Sequence, residues 1–335
     1  MMLDRRLLKN YDWFLLSTTV VVSLVGLANL YSATYQTDLG FFKKQSLWVS
    51  VAMMLMVSLS FLDYKALDRY SQHIYVISVL LLLFVLTSGK EVSGSKSWIS
   101  LGSHITIQPS EFVKPFFAVV AAWLFAAQKA SGRFPGYAVA IVLYLGIVAM
   151  LVKQPDLGMA VVVSAVWFAQ FFLAGLPLWL VGALGMAGFA GLFAAYALLP
   201  HVTSRINRFL DPASGDSYQV NRAMEAFVNG GLFGRGPGEG IVKRTIPDAH
   251  ADFIFAVAGE EFGLVACLLI VALFAFVVLR GFGRALQETN LFVLLAATGL
   301  FVQFGLQAII NMGSALHLMP TKGMTLPFIS YGGSS

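Results

Sequence analysis

The 335-residue chain is 58% hydrophobic and 12% charged, with a mean hydropathy of +0.77. A water-soluble domain carries about 25% charged residues, so this composition excludes an ordinary soluble enzyme and calls for long apolar segments. The formal charge of +5 points to anionic partners. The basic residues sit in connections between apolar segments, which favours lipid headgroups or a phosphorylated lipid and disfavours nucleic acid.

Nine apolar segments follow one another, over roughly 12–34, 45–62, 73–88, 111–128, 136–152, 157–174, 177–200, 253–279 and 290–312. The first lacks a small-residue cleavage site and is long enough to span, so it reads as a membrane helix and not as a signal peptide. All nine are expected to be helical, because lipid offers backbone polar groups no other partner. The fold class is therefore all-α, a polytopic transmembrane bundle in a single domain over 1–335. Cys267 lies inside an apolar run and reads as a packing residue.

Three connections are too long to be turns: 89–110, 201–252 and 313–335. Counted alternately, they share one side of the membrane, and 201–252 forms a large loop between the seventh and eighth helices. The short connections carry Lys65, Arg69, Lys129, Arg133, Arg280 and Arg284, and the N-terminal segment adds Arg5, Arg6 and Lys9. Their density places the N-terminus in the cytoplasm and the long loops outside it.

Ionisable groups at the ends of apolar segments are functional candidates, because burying them in a membrane is costly. Glu111 and Lys114 are three apart on one helix face, which suits either a structural ion pair or one wall of a polar cavity. In Lys153-Gln154-Pro155-Asp156-Leu157-Gly158, Pro155 ends one helix and Asp156 can cap the next. Lys153 beside it gives a second cation–carboxylate combination. In the long loop, Arg205 and Arg208 are followed by Asn229–Gly240, with six glycines in twelve residues, and then by Lys243 and Arg244. Backbone N–H groups with Arg and Lys suit a diphosphate, although no strand precedes the run and no P-loop Lys-Ser/Thr closes it.

Asp252 stands where the chain re-enters the membrane. It suits a helix N-cap or a base whose proton affinity rises in apolar surroundings. At about 100° per residue, Glu260 lies roughly 80° around from Asp252 and is the closer neighbour of the same cavity, with Glu261 opposite. His104, His201, His250 and His317 show no metal-ligand spacing.

Four motifs in order resemble the SEDS family of polytopic cell-wall polymerases. They are Gln108-Pro109-Ser110-Glu111 with Lys114, Gln154-Pro155-Asp156-Leu157-Gly158, Asp252-Phe253-Ile254-Phe255 leading to Glu260-Glu261, and the run from Pro320 to Ser335. Thr321-Lys322-Gly323 is similar to the division member of the family; the elongation member usually has apolar residues at Thr321 and Lys322. Ser97, Met159, Ala223, Asp248 and Ala251 depart from the common pattern, and none of them removes the carboxylate at 252.

The resemblance implies ten transmembrane helices with both termini cytoplasmic. Nine are visible, so the tenth helix and a cytoplasmic tail are expected beyond the sequence. It also implies a peptidoglycan glycosyltransferase that polymerises lipid II at the septum, in the inner membrane. The family's essential aspartate falls on Asp252, as general base on the acceptor N-acetylglucosamine 4-hydroxyl, with undecaprenyl diphosphate leaving. Glu111, Lys114, Lys153, Asp156, Arg205, Arg208, Lys243, Arg244 and Glu260 are the expected substrate-binding residues, the cations among them stabilising the leaving group. A divalent cation, Mg2+ or Mn2+, is expected to assist, with ligands unknown and no organic cofactor. The expected partners are a class B penicillin-binding protein and other division membrane proteins. The competing readings are a lipid II flippase or other transporter and a division scaffold without catalysis.

Overall fold

The computed structural model describes residues 12–35, 38–92, 95–101, 105–175, 177–211 and 218–332. Arg5, Arg6, Lys9, His104 and the closing Gly333-Ser334-Ser335 lie outside the described residues. The chain opens with α1 (Trp13–Thr34), α2 (Leu39–Ser60) and α3 (Tyr64–Ser88). Next come short strands β1 (Lys90–Val92), β2 (Ser95–Leu101) and β3 (Ile105–Ile107). After them run α4 (Pro109–Ser131), α5 (Gly136–Lys153), α6 (Leu157–Leu173) and α7 (Leu178–Leu198). The long connection contains α8 (Pro200–Leu210), α9 (Tyr218–Gly230) and a 3-10 turn, Val242–Thr245. Then α10 (Ile254–Ala285) and α11 (Leu291–Ala315) complete the bundle.

Seven of these helices are long and apolar enough to cross a membrane: α1, α3, α4, α5, α7, α10 and α11. The chain is a multi-pass membrane protein. The expected second and sixth spans are also helices, α2 and α6. However, α2 carries Lys43, Lys44 and Gln45 near its start, and α6 has only 17 residues. Helix α7 buries no residue, and Trp179 and Phe189 are about three-quarters exposed. A helix apolar all round that leaves most of its surface exposed is suited to lipid.

The helical bundle carries one small sheet that the sequence pattern did not announce. Residues 90–107 form a three-stranded antiparallel sheet in the order β1-β2-β3, with Ile99 opposite Ile107 and Leu101 opposite Ile105. Short runs of β-branched residues favour strands, and the Gly and Ser between them disguised the pattern as loop.

Two cores hold the bundle. The first joins α3, α4, α5, α6 and α11 around Phe117, Phe125, Trp167 and Phe171. Tyr144 stacks on Trp167 with centroids 4.6 Å apart. Fully buried Gln170 crosses this core, donating to the carbonyls of Ala118 at 2.7 Å and Leu295 at 3.0 Å. Such polar links hold membrane helices together where hydrophobic burial cannot distinguish protein from lipid. The second core joins α1, α9, α10 and α11 around Ile254–Ala258, Leu326 and Ile329. At the opposite end of α10, Arg280 and Arg284 pair with Asp12 at 2.9 and 3.0 Å and so fasten it to the start of α1.

Helix α10 is broken at Gly263, whose φ of 77° and ψ of −175° are open to glycine alone. The glycine-rich segment fits against that break. Leu264 and Val265 donate to the carbonyls of Gly231 and Leu232 at 2.9 and 3.2 Å. In return, the N–H groups of Arg235 and Gly236 donate to the carbonyls of Glu260 and Glu261 at 3.0 and 2.9 Å. A Cβ at Gly234 would lie 2.2 Å from the Glu261 carbonyl oxygen. The glycines allow this backbone-to-backbone approach, so the run satisfies backbone groups left open by the break in the helix.

Candidate active site

Asp252 lies in a turn in front of α10, not on the helix. The Asp248 carbonyl accepts from the N–H groups of Ala251 and Asp252 at 2.9 and 3.1 Å. Phe253 occupies the N-cap position of α10, and no side chain caps it. Asp252 is therefore not a cap. Asn311 of α11 fixes its backbone instead: Nδ2 donates to the Asp252 carbonyl at 2.9 Å and to the Met324 carbonyl at 2.6 Å. The Asp252 side chain is half-buried, and no hydrogen bond or ion pair reaches its carboxylate among the described residues. Burial, then the charge of Asp248, push its pKa up to about 6, against the opposing pull of Lys322.

The segment after α11 closes over this turn. Tyr331 N–H donates to the His250 carbonyl at 2.9 Å. Ser330 Oγ donates to the Ala251 carbonyl at 2.6 Å and accepts from Leu326 N–H at 2.7 Å. Gln45 of α2 holds the far end, donating to the Ser330 carbonyl at 3.0 Å and accepting from Gly332 N–H at 3.2 Å. The His250 ring lies against Phe41, 4.4 Å between centroids, and Tyr331, at 5.5 Å. Burial holds the pKa of this imidazole below its usual value, with Asp248 opposing.

Two further ionic groups reach the same segment. Asp156 caps α6 by accepting from Met159 N–H at 3.2 Å. It also takes the Lys322 ammonium at 2.5 Å, with Gln108 Nε2 3.5 Å from its other oxygen. Glu111 and buried Lys114 pair at 2.8 Å, and Lys114 donates to Gln307 Oε1 at 3.3 Å. Gln307 Nε2 passes the link to the Thr325 carbonyl at 3.3 Å. The starts of α4, α6 and α10 and the end of α11 thus meet around residues 322–331. This arrangement can hold an ionisable carboxyl beside cations at one end of the bundle, without neutralising it.

The remaining predicted residues lie elsewhere. Glu260 is fully buried and accepts from Ile241 and Val242 N–H at Oε1 and from Lys243 N–H at Oε2, at 2.9, 2.8 and 2.8 Å. It anchors the 3-10 turn. The helical-wheel argument fails because Asp252 precedes the first turn of α10. Lys243 is also enclosed: its ammonium pairs with Glu261 and donates to the Ser32 carbonyl at 2.7 Å. Both side chains are engaged inside the protein, one with backbone N–H groups and one with Glu261 and Ser32. Arg244 is exposed on the same turn, and Lys153 is exposed at the end of α5. Arg205 and Arg208 are half-buried on α8. Arg205 and Lys322 both act on His201, whose pKa burial lowers first.

Sequence reasoning missed Lys322, Gly323, Gln307 and Asn311 as parts of the site. Gln307 and Asn311 are polar residues four apart in an apolar segment, a signal that a search confined to ionisable groups passes over. Among the described residues, no three His, Cys, Asp or Glu side chains converge so as to hold a metal ion.

The assembly of these motifs matches known proteins over nearly the whole chain. It is 40% identical to the probable peptidoglycan glycosyltransferase FtsW of Caulobacter vibrioides, covering 96% of this chain and 84% of that one. It is 34% identical to the stage V sporulation protein E of Bacillus subtilis, covering 97% and 92%. Among solved structures, one describing a peptidoglycan synthase complex that coordinates polymerisation and crosslinking superposes with a TM-score of 0.80. That chain is 31% identical, with 97% of this chain and 93% of that one covered. The rod shape determining protein RodA of Thermus thermophilus gives a TM-score of 0.70 at 30% identity, covering 97% and 91%. With residues 8–335 matching its pattern, the chain belongs to the FtsW, RodA and SpoVE family of cell cycle proteins.

Proposed function

We propose that this protein is a peptidoglycan glycosyltransferase that joins lipid II molecules into glycan strands, with Asp252 as the base. The observation that carries the reading is the state of Asp252: a half-buried carboxylate, unpaired among the described residues, its pKa raised to about 6. A base near neutrality ionises at working pH and still holds the proton it takes. The relatives named as peptidoglycan glycosyltransferases support the reaction class.

In this mechanism the acceptor's N-acetylglucosamine 4-hydroxyl attacks the anomeric carbon of the donor's N-acetylmuramic acid. The new glycosidic bond forms as the anomeric C–O bond to the diphosphate breaks. The hydroxyl proton passes to Asp252, and undecaprenyl diphosphate leaves with the bonding electrons. Arg205, Arg208, Lys153 and Arg244 are the cations that would stabilise the departing diphosphate. Lys114 and Glu111, tied through Gln307 to Thr325, shape the wall beside it.

By the same reading the N-terminus is cytoplasmic, the 201–252 connection faces outward, and the protein acts at the division septum. A class B penicillin-binding protein crosslinks its product, with other division membrane proteins alongside. The solved synthase complex that couples polymerisation to crosslinking supports a partner of this kind. The test is to supply labelled lipid II to the purified protein with that partner, its transpeptidase site blocked. Strands that a muramidase returns to disaccharide support the polymerase. Movement of lipid II across vesicles without strands would establish a transporter instead.

A further inference from the structure

Residues 322 and 323 touch two different acids. The Lys322 ammonium is on Asp156 at 2.5 Å, while the Gly323 Cα lies against the Asp252 carboxylate. The Lys322 ammonium is paired with Asp156, and it acts on Asp252 through its charge alone. Its direction is set by close packing. The Lys322 chain runs over Gly158, where a Cβ would come within 2.6–2.8 Å of its Cε, Cδ and Cγ. Asp156 is held ready by its cap bond to Met159 N–H and by Gln108.

We propose that Asp156 is a positioning residue that draws the Lys322 ammonium away from Asp252, keeping the base carboxylate without a cation partner. An ammonium paired directly with an aspartate lowers its pKa by about 1–3 units, and a base so weakened takes a proton poorly. The inference rests on Asp252 being the base, and it assigns to Asp156 and Lys322 an effect on catalysis that acts through Asp252. The other groups around Asp252 are Asp248 and His250 on its own turn and neutral Asn311 from α11. Arg205 and His201 of α8 face the site through Lys322. None of them changes in the variants below.

The test is pH-dependent labelling of Asp252 by a hydrophobic carbodiimide, which reacts with the protonated carboxyl, read by mass spectrometry of its peptide in the folded protein. Asp156→Asn keeps a capping side chain and removes the charge. Lys322→Met keeps the chain over Gly158 and removes the ammonium. The expected labelling midpoint falls by about one pH unit or more in Asp156→Asn and rises above wild type in Lys322→Met. In the double variant it is indistinguishable from Lys322→Met, because Asp156 acts only through the lysine. An unchanged midpoint in Asp156→Asn overturns the proposal. So does an equal fall in both backgrounds, since Asp156 would then act by its own charge. The acid limb of polymerisation should follow the same order. Labelling that obeys the cycle while polymerisation ignores it would sink the base assignment and leave the positioning intact.

Discussion

The Cα of Gly323 is packed so closely on Asp252 that a Cβ built there would lie 2.7 Å from Oδ2. The obstructed atom is the end of a side chain that can swing away, so the fold tolerates a methyl group while the carboxylate does not keep its place. Gly323→Ala is expected to melt near wild type and to lose polymerisation on the order of 10²-fold, the effect of misplacing a reacting group by about 1 Å. Parallel melting and strand-synthesis assays check it.

The raised pKa of Asp252 fixes the sign of a pH effect. A base works ionised, so the rate falls as pH drops through about 6. Stability responds oppositely. The folded state binds this proton more tightly than the unfolded chain, so the group's contribution is fully present below the unfolded value near 3.8 and is lost as pH rises through about 6. Asp252→Asn should therefore melt at or above wild type at pH 7.5, with the difference shrinking at lower pH. A clear loss of melting temperature at pH 7.5 would contradict this.

Glu260 answers for structure. Glu260→Ala leaves the N–H groups of Ile241, Val242 and Lys243 without their acceptor. Such an orphaned donor costs about 1–3 kcal/mol, so the variant should be destabilised by at least about 2 kcal/mol. Glu260→Gln, which keeps an acceptor oxygen, should lose less. Thermal melts of the two purified variants provide the comparison.

The break in α10 gives a coupled prediction. Gly234 and Gly263 both have positive φ, and a Cβ at Gly263 would lie 2.4 Å from the Gly234 nitrogen. Alanine at either position is expected to destabilise by more than about 1 kcal/mol. The double variant should fall short of the sum, because both lesions open one junction. A double-mutant cycle of unfolding measures it.

Much of the fold was legible because lipid leaves the backbone few choices: apolar runs became helices, and Pro109, Asp156 and Asn290 start three of them as their chemistry dictates. The 90–107 sheet was not, since its pairing joins residues whose polarity resembles loop. At the site, Asp252, Asp156 and the Glu111–Lys114 pair were visible as charges at the edges of apolar runs. What sequence could not reveal was how those charges were divided. Lys243 and Glu260 look like Lys322 and Asp252 in sequence. Only the approach of the glycine-rich segment to α10 shows that the first two are enclosed and that the others meet at one end of the bundle.

The most direct test of the account is strand synthesis from labelled lipid II by wild type and Asp252→Asn, each with its crosslinking partner and the transpeptidase site blocked. The account predicts long strands from wild type and a rate lower by about 10²–10⁴-fold from a variant that melts no lower. Equal synthesis by the two proteins would contradict it and leave Asp252 as a residue of the turn alone.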